Sequence, residues 1–123
     1  MGLIPEPDKQ YLKDKQFTYE LTKVASEIHL VLRNWPFPEA YNPRVADVLI
    51  RIPPGYPMGQ LDMFYTSPTI MKTNGAFPEA CQQMENHSDR TWQRWSRHHP
   101  WRSGIDNLRT FITAMTVEIN KGI

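Results

Sequence analysis

The sequence predicts an α+β fold: a four-stranded antiparallel meander sheet with a short N-terminal helix and one long C-terminal helix packed on it. Three observations lead there. Apolar and polar residues alternate in short runs through the first half of the chain, the period of a half-buried strand. Prolines, 11 of the 123 residues, interrupt those runs and fix turns between them. Near the C-terminus the apolar spacing changes to three and four, the period of a helix face.

Each element follows from its residues. Residues 1–7 carry Pro5 and Pro7 and no periodic face, which reads as an extended arm. Asp8 is placed to cap a short helix reaching Lys15, with Tyr11 and Leu12 on its apolar side. Phe17, Tyr19 and Leu21 then alternate with Thr18, Glu20 and Thr22. Ile28, Leu30 and Leu32 alternate with His29, Val31 and Arg33, and the connector Ala25-Ser26-Glu27 makes a hairpin of the two runs. Trp35-Pro36-Phe37-Pro38 turns the chain, because proline brings no ladder donor. Ala46 to Ile52 is the third strand, stopped by the flap Pro53-Pro54-Gly55-Tyr56-Pro57. Leu61 to Tyr65 is the fourth, closed by Ser67-Pro68.

Ile70 to Arg90 holds no period and reads as a long loop with one helical turn around Glu79 to Met84. Loops of this length are often functional. Ser103 and Asp106 supply a capping box for the last helix. Its stripe is Ile105, Leu108, Ile112, Met115 and Ile119, and Gly122 ends it.

The length suits a single domain over residues 1–123. A formal charge of +1 argues against a dedicated nucleic-acid binder, which carries a larger basic excess. One cysteine, Cys81, excludes an internal disulfide framework and fits a reducing compartment. No apolar run follows Met1 and no long uncharged apolar stretch occurs, so neither a signal peptide nor a membrane span is expected. The expected location is the cytoplasm, with no membrane partner.

The stretch from Thr91 to Ile112 holds Trp92, Trp95 and Trp101, whose indole N–H groups each need an acceptor. Arg94, Arg97 and Arg102 lie within it and Arg90 just before it, and up to Arg102 these four meet one nearby acid, Asp89. Two readings fit: Arg stems packed over Trp faces, or a partner-binding surface made by Trp92, Trp95, Arg97 and Trp101 together with Tyr56 of the flap. Interleaved Trp and Arg can also stack bases, but no Gly-rich phosphate cradle accompanies them.

Candidate chemistry centres on the same region. Cys81 is the only thiol; beside Arg and His it would ionise, and otherwise it is a small buried hydrophobe. In an extended WSRH run, Ser96 and His98 share a face, which sets a base beside a hydroxyl; the alternative is a hydroxyl bonded to backbone. His98 and His99 are adjacent and would point to opposite faces. With His87 and Cys81 they make no ligand spacing, so no metal or cofactor is expected.

IRIPPGYPMGQLDMFY and HPWRSGIDNLRTFI resemble the third strand, Tyr-Pro turn, fourth strand and Trp-led helix of the ubiquitin-conjugating enzyme (UBC) fold. More closely, YNPRVADVLIRIPPGYP, LDMFY and WQRWSRHHPWRSGIDNLRTFI are similar to prokaryotic family E of that superfamily, from about Phe17 to Ile119. The resemblance implies a UBC-like core and two partners, a ubiquitin-like protein and its adenylating activating enzyme. It also implies acyl transfer to a target amine. Asn86 falls roughly where the family's asparagine sits. Eukaryotic members set a His-Pro-Asn tripeptide before a catalytic Cys that shortly precedes the Trp; here no thiol stands there, and Cys81 lies further upstream. Two functions follow: a conjugating-like protein with an atypical active site, or a catalytically silent variant that binds the modifier or the activating enzyme.

Overall fold

The computed structural model describes residues 3–121. Helix α1 (Glu6–Asp14) is followed by strands β1 (Tyr19–Val24), β2 (Glu27–Pro36), β3 (Tyr41–Asn42), β4 (Val45–Ile52), β5 (Phe64–Ser67), β6 (Met71–Lys72), β7 (Met84–His87) and β8 (Arg90–Trp95), and then by helix α2 (Leu108–Lys121). Six strands form one sheet in the order β1-β2-β4-β5-β8-β7, with every neighbouring pair antiparallel. β3 and β6 pair separately as a two-stranded ribbon.

Strand alternation decides what each face of the sheet carries. On β4, Ala46, Val48, Ile50 and Ile52 join one buried cluster with Leu30, Leu32, Phe64 and Trp95. α2 contributes Leu108, Phe111, Ile112, Met115 and Ile119 to the same cluster, and each such aliphatic side chain gains about 1.5–3 kcal/mol by leaving water. The intervening Leu49 belongs to a second, smaller cluster with Tyr65 and Trp92 on the opposite face, flanked by Val31.

The sheet therefore has six strands and not four. The four expected strands correspond to β1, β2, β4 and β5, while β8 and β7 extend the sheet beyond β5. The stretch from Ile70 to Arg90 is not one loop, since it holds β6 and β7. β7 is a polar edge strand with Met84 and Asn86 exposed, so it has no apolar period to reveal it. No helical turn forms around Glu79 to Met84: Glu79 and Ala80 make a turn, with Ala80 at φ 56, and Met84 already opens β7. The fourth strand begins at Phe64 because Met63, at φ 57, breaks the extended run from Leu61. Trp35 and Pro36 end β2 opposite Ala46 and Val45, past an irregularity at Asn34, where φ is 56.

Both helices start elsewhere than expected. α1 has Pro5 as N-cap, and Pro7 lies in its first turn, where no backbone donor is needed; the arm therefore ends at Pro5. Asp8 sits inside the helix, buried, and caps nothing. α2 starts after Asn107, whose Oδ1 accepts the Thr110 N–H at 3.1 Å while Thr110 Oγ1 accepts the Asn107 N–H at 3.0 Å. That reciprocal pair replaces the expected Ser103 and Asp106 box. Ser103 Oγ donates instead to the Met58 carbonyl, and Ile105, 61% exposed, precedes the helix. Gly122 lies outside the described residues. Among those residues no helix is long and apolar enough to cross a membrane.

Candidate functional site

The flap and the segment entering α2 meet through Tyr56. Its hydroxyl donates to Asp8 Oδ2 at 2.5 Å and accepts the Leu108 N–H at 2.7 Å, so one oxygen joins α1, the flap and the start of α2. Burial raises the Asp8 pKa, while the Tyr56 bond acts the other way. Burial, and after it the bond to Asp8, raises the Tyr56 pKa far above the ordinary phenol range. Trp101 packs against Tyr56 at 6.3 Å between ring centroids, and its indole N–H donates to the Pro57 carbonyl at 3.0 Å. Asp106 receives both the backbone and the side chain of Arg102, which lowers its carboxyl pKa to about 2.

Trp92 and Trp95 lie three residues apart on β8 and so face opposite sides of the sheet. Trp95 is fully buried on the helix face, stacked on Phe64 at 5.1 Å, with its indole N–H donating to Thr66 Oγ1. Trp92 lies on the opposite face, 3% exposed, beneath the Arg90 guanidinium at 4.5 Å. Of the three, only Trp101 meets the flap.

Cys81 is a core residue. It is 0% exposed, and burial pushes its thiol up to about 12 despite the pull of nearby Arg97. Its Sγ donates to the Glu79 carbonyl at 3.3 Å. Gln93 fixes the backbone around it, donating to the Cys81 and Ile70 carbonyls while accepting from the Ile70 N–H and Thr66. Arg97 lies over the Trp95 ring, bonds the Glu79 carbonyl and pairs with Glu118 on α2 at 3.1 Å. This arrangement clamps the chain after β8 to α2.

The expected Ser96 and His98 pair is not assembled. Ser96 Oγ accepts from Arg94 Nε at 3.1 Å, whereas His98 Nδ1 meets Asp62 Oδ1 at 2.8 Å. β8 ends at Trp95, so the extended geometry that would have aligned Ser96 with His98 stops one residue too early. Asn86, on exposed β7, accepts from the Thr91 hydroxyl at 2.9 Å. The catalytic candidates thus occupy separate places: Cys81 in the core, Asn86 at the far edge of the sheet, and His98 on the surface with Asp62. His98 is 66% exposed at its side chain, and Asp62 orients the ring. Nothing in the sequence links Asp62 or Glu118 to their partners, because both pairings span the fold.

The outer sheet face carries an array that sequence reading missed. Arg51 pairs with Glu27 through two nitrogens, and His29 bonds the same carboxylate at 3.1 Å. Glu85 receives His87 at 2.9 Å and Arg94 at 3.0 Å. The His29 and His87 rings meet edge-on at 5.9 Å. Burial works against the ionised forms of Glu27 and Glu85, but the bonds from Arg51 and His29, and from His87 and Arg94, outweigh it and hold both pKa values below the ordinary range. Placing β7 beside β8 would have brought Glu85 and His87 to this face by alternation alone. No group of three or more His, Cys, Asp or Glu suited to a metal ion occurs among the described residues.

The described residues form an α+β fold in which a Tyr-Pro flap is locked to the segment that enters α2 and the thiol of Cys81 is enclosed. The chain belongs to prokaryotic E2 family E, which matches residues 4–122. No curated relative and no solved structure matches it.

Proposed function

We propose that this chain is a UBC-like binding module of a bacterial ubiquitin-like modification system, holding the ubiquitin-like protein or its adenylating activating enzyme without carrying the modifier on a thiol of its own. Family membership supports the class of partner. The observation that carries the silent reading is the enclosure of Cys81, a fully buried thiol raised to about 12. An acyl carrier needs an accessible, activated nucleophile. A cytoplasmic site of action suits this reading.

Acyl transfer keeps one supporting observation. His98 is exposed and oriented by Asp62, the arrangement of a general base held by a carboxylate. Such a base can take the proton of a target amine while another protein carries the modifier. The experiment is calorimetric titration of activating enzyme and modifier into wild type, Cys81→Ala and His98→Gln. The binding reading expects equal affinities for all three. Loss of binding in Cys81→Ala, with its fold intact by circular dichroism, would contradict it.

A further inference from the structure

The geometry points to a second docking site: the free edge of β1, with the two recesses beside it, accepts an extended acidic peptide segment as a seventh strand, anchored by one bulky apolar side chain. This site uses neither Cys81 nor His98 and stands apart from the function proposed above.

The backbone supplies the template. β1 is the outer strand of the sheet and pairs only with β2. The Arg33 N–H donates to the Thr18 carbonyl at 2.8 Å, in line with the register Tyr19 to Leu32. Bonded pairs recur every second residue in an antiparallel ladder, so Glu20 and Thr22 bond inward to β2, while Tyr19, Leu21 and Lys23 turn their N–H and C=O groups outward. That row is long enough for an incoming strand to bond, which is the mode of β-strand addition.

Two recesses flank this edge and share Gln16 and Phe17, so they meet at the start of β1. The first, of about 660 Å³, is walled by Tyr11, Phe17, Trp35, Ile112 and Val117, an aromatic and aliphatic lining suited to one large apolar side chain. Phe17 and Trp35 lie 5.2 Å apart, and Val117 on the rim is 52% exposed. The second, of about 470 Å³, runs between α1 and Tyr19 along the polar face of the helix.

Charge selects the occupant. Lys13, Lys15, Lys23 and Arg109 are exposed and form no ion pair among the described residues. Lys13 lines the smaller recess, where Glu6 is paired with Lys9, and Lys15 lines the larger, whose wall contains no carboxylate. Arg109 lies in the first turn of α2, and Lys23 sits at the far end of the open edge. Uncompensated cations along an open strand deter a basic or neutral strand and favour an acidic one.

The probe is a fluorescein-labelled octapeptide alternating valine with glutamate and ending in phenylalanine, titrated by anisotropy, with amide exchange followed by NMR. Binding should weaken steeply with salt and slow the exchange of the Tyr19, Leu21 and Lys23 amides at least tenfold. Lys13→Glu with Lys15→Glu should weaken binding at least tenfold. Lys23→Pro, which removes one outward donor and no ladder bond, should do so as well. Val117→Glu, at an exposed rim position, should weaken binding with the fold intact. The proposal is overturned if the peptide fails to bind at millimolar concentration, if protection appears elsewhere, or if a lysine-for-glutamate peptide binds equally well. It is also overturned if sedimentation shows a dimer of this chain with the β1 amides already protected, since the edge would then belong to a second copy.

Discussion

Replacing Tyr56 by Phe removes a single oxygen from the junction of α1, the flap and α2 while keeping the ring that packs on Trp101. Two bonds are lost together. The bond to the buried Asp8 carboxyl involves a charged acceptor, worth about 1.5–3 kcal/mol, and the bond to the Leu108 N–H is a neutral one worth about 0.5–1.5 kcal/mol. The expected cost is therefore about 2–4.5 kcal/mol. At about 4 °C per kcal/mol for a chain of this size, Tm should fall by about 8–18 °C. Thermal unfolding followed by circular dichroism measures it, and the double variant with Asp8→Asn separates the two bonds. If the Asp8 bond contributes that much, the variants should couple by up to about 1.5–3 kcal/mol. A Tm loss below about 2 °C for Tyr56→Phe would refute the hydroxyl's role as the joint between the helices.

Further outcomes follow from the same packing. Cys81 should resist a disulfide reagent at pH 8 for hours in native protein and react at once in denaturant; stoichiometric reaction within a minute would show an accessible thiol. Trp95→Ala should cost about 3–5 kcal/mol in urea unfolding, as for a fully buried aromatic. Trp101→Ala, half-exposed and bonded only through its indole N–H to the flap, should cost about 1–2 kcal/mol. Equal losses would place Trp101 in the core. Burial raises the folded-state pKa of Asp8, so its contribution to stability is full below the ordinary value of 3.8 and is lost as pH rises through the raised value. Glu27 and Glu85 act oppositely: their contribution is present above 4.5 and is lost as pH falls through their lowered values. Asp8→Asn should flatten the decline of Tm with rising pH and leave the acid-side loss intact; an unchanged profile would contradict the assignment.

The parts of this fold that were legible in the sequence are those with a period. The alternation in β2 and β4 and the stripe Leu108, Ile112, Met115 and Ile119 correspond to buried faces. What escaped had no period to show. β7 is polar on both faces at the sheet edge, and β6 is two residues long. The helix starts shifted because capping depends on which hydroxyl or amide reaches the first turn, and Asn107 with Thr110 offers as good a box as Ser103 with Asp106. Site reading suffered from distance: Asp62 lies 36 residues from His98, and Glu118 reaches Arg97 only once α2 has folded onto the sheet. Local spacing brought Ser96 and His98 together on the assumption of a strand that ends at Trp95.

If the chain serves by binding, as proposed, it bears no modifier on its own thiol. Intact-mass spectrometry tests it most directly, after incubation with ATP, an adenylating activating enzyme and a ubiquitin-like protein from the same cell. The expected result is an unchanged mass for the chain, with the activating enzyme alone carrying a reductant-sensitive adduct. A chain heavier by one modifier, with the increment absent in Cys81→Ala, would contradict it.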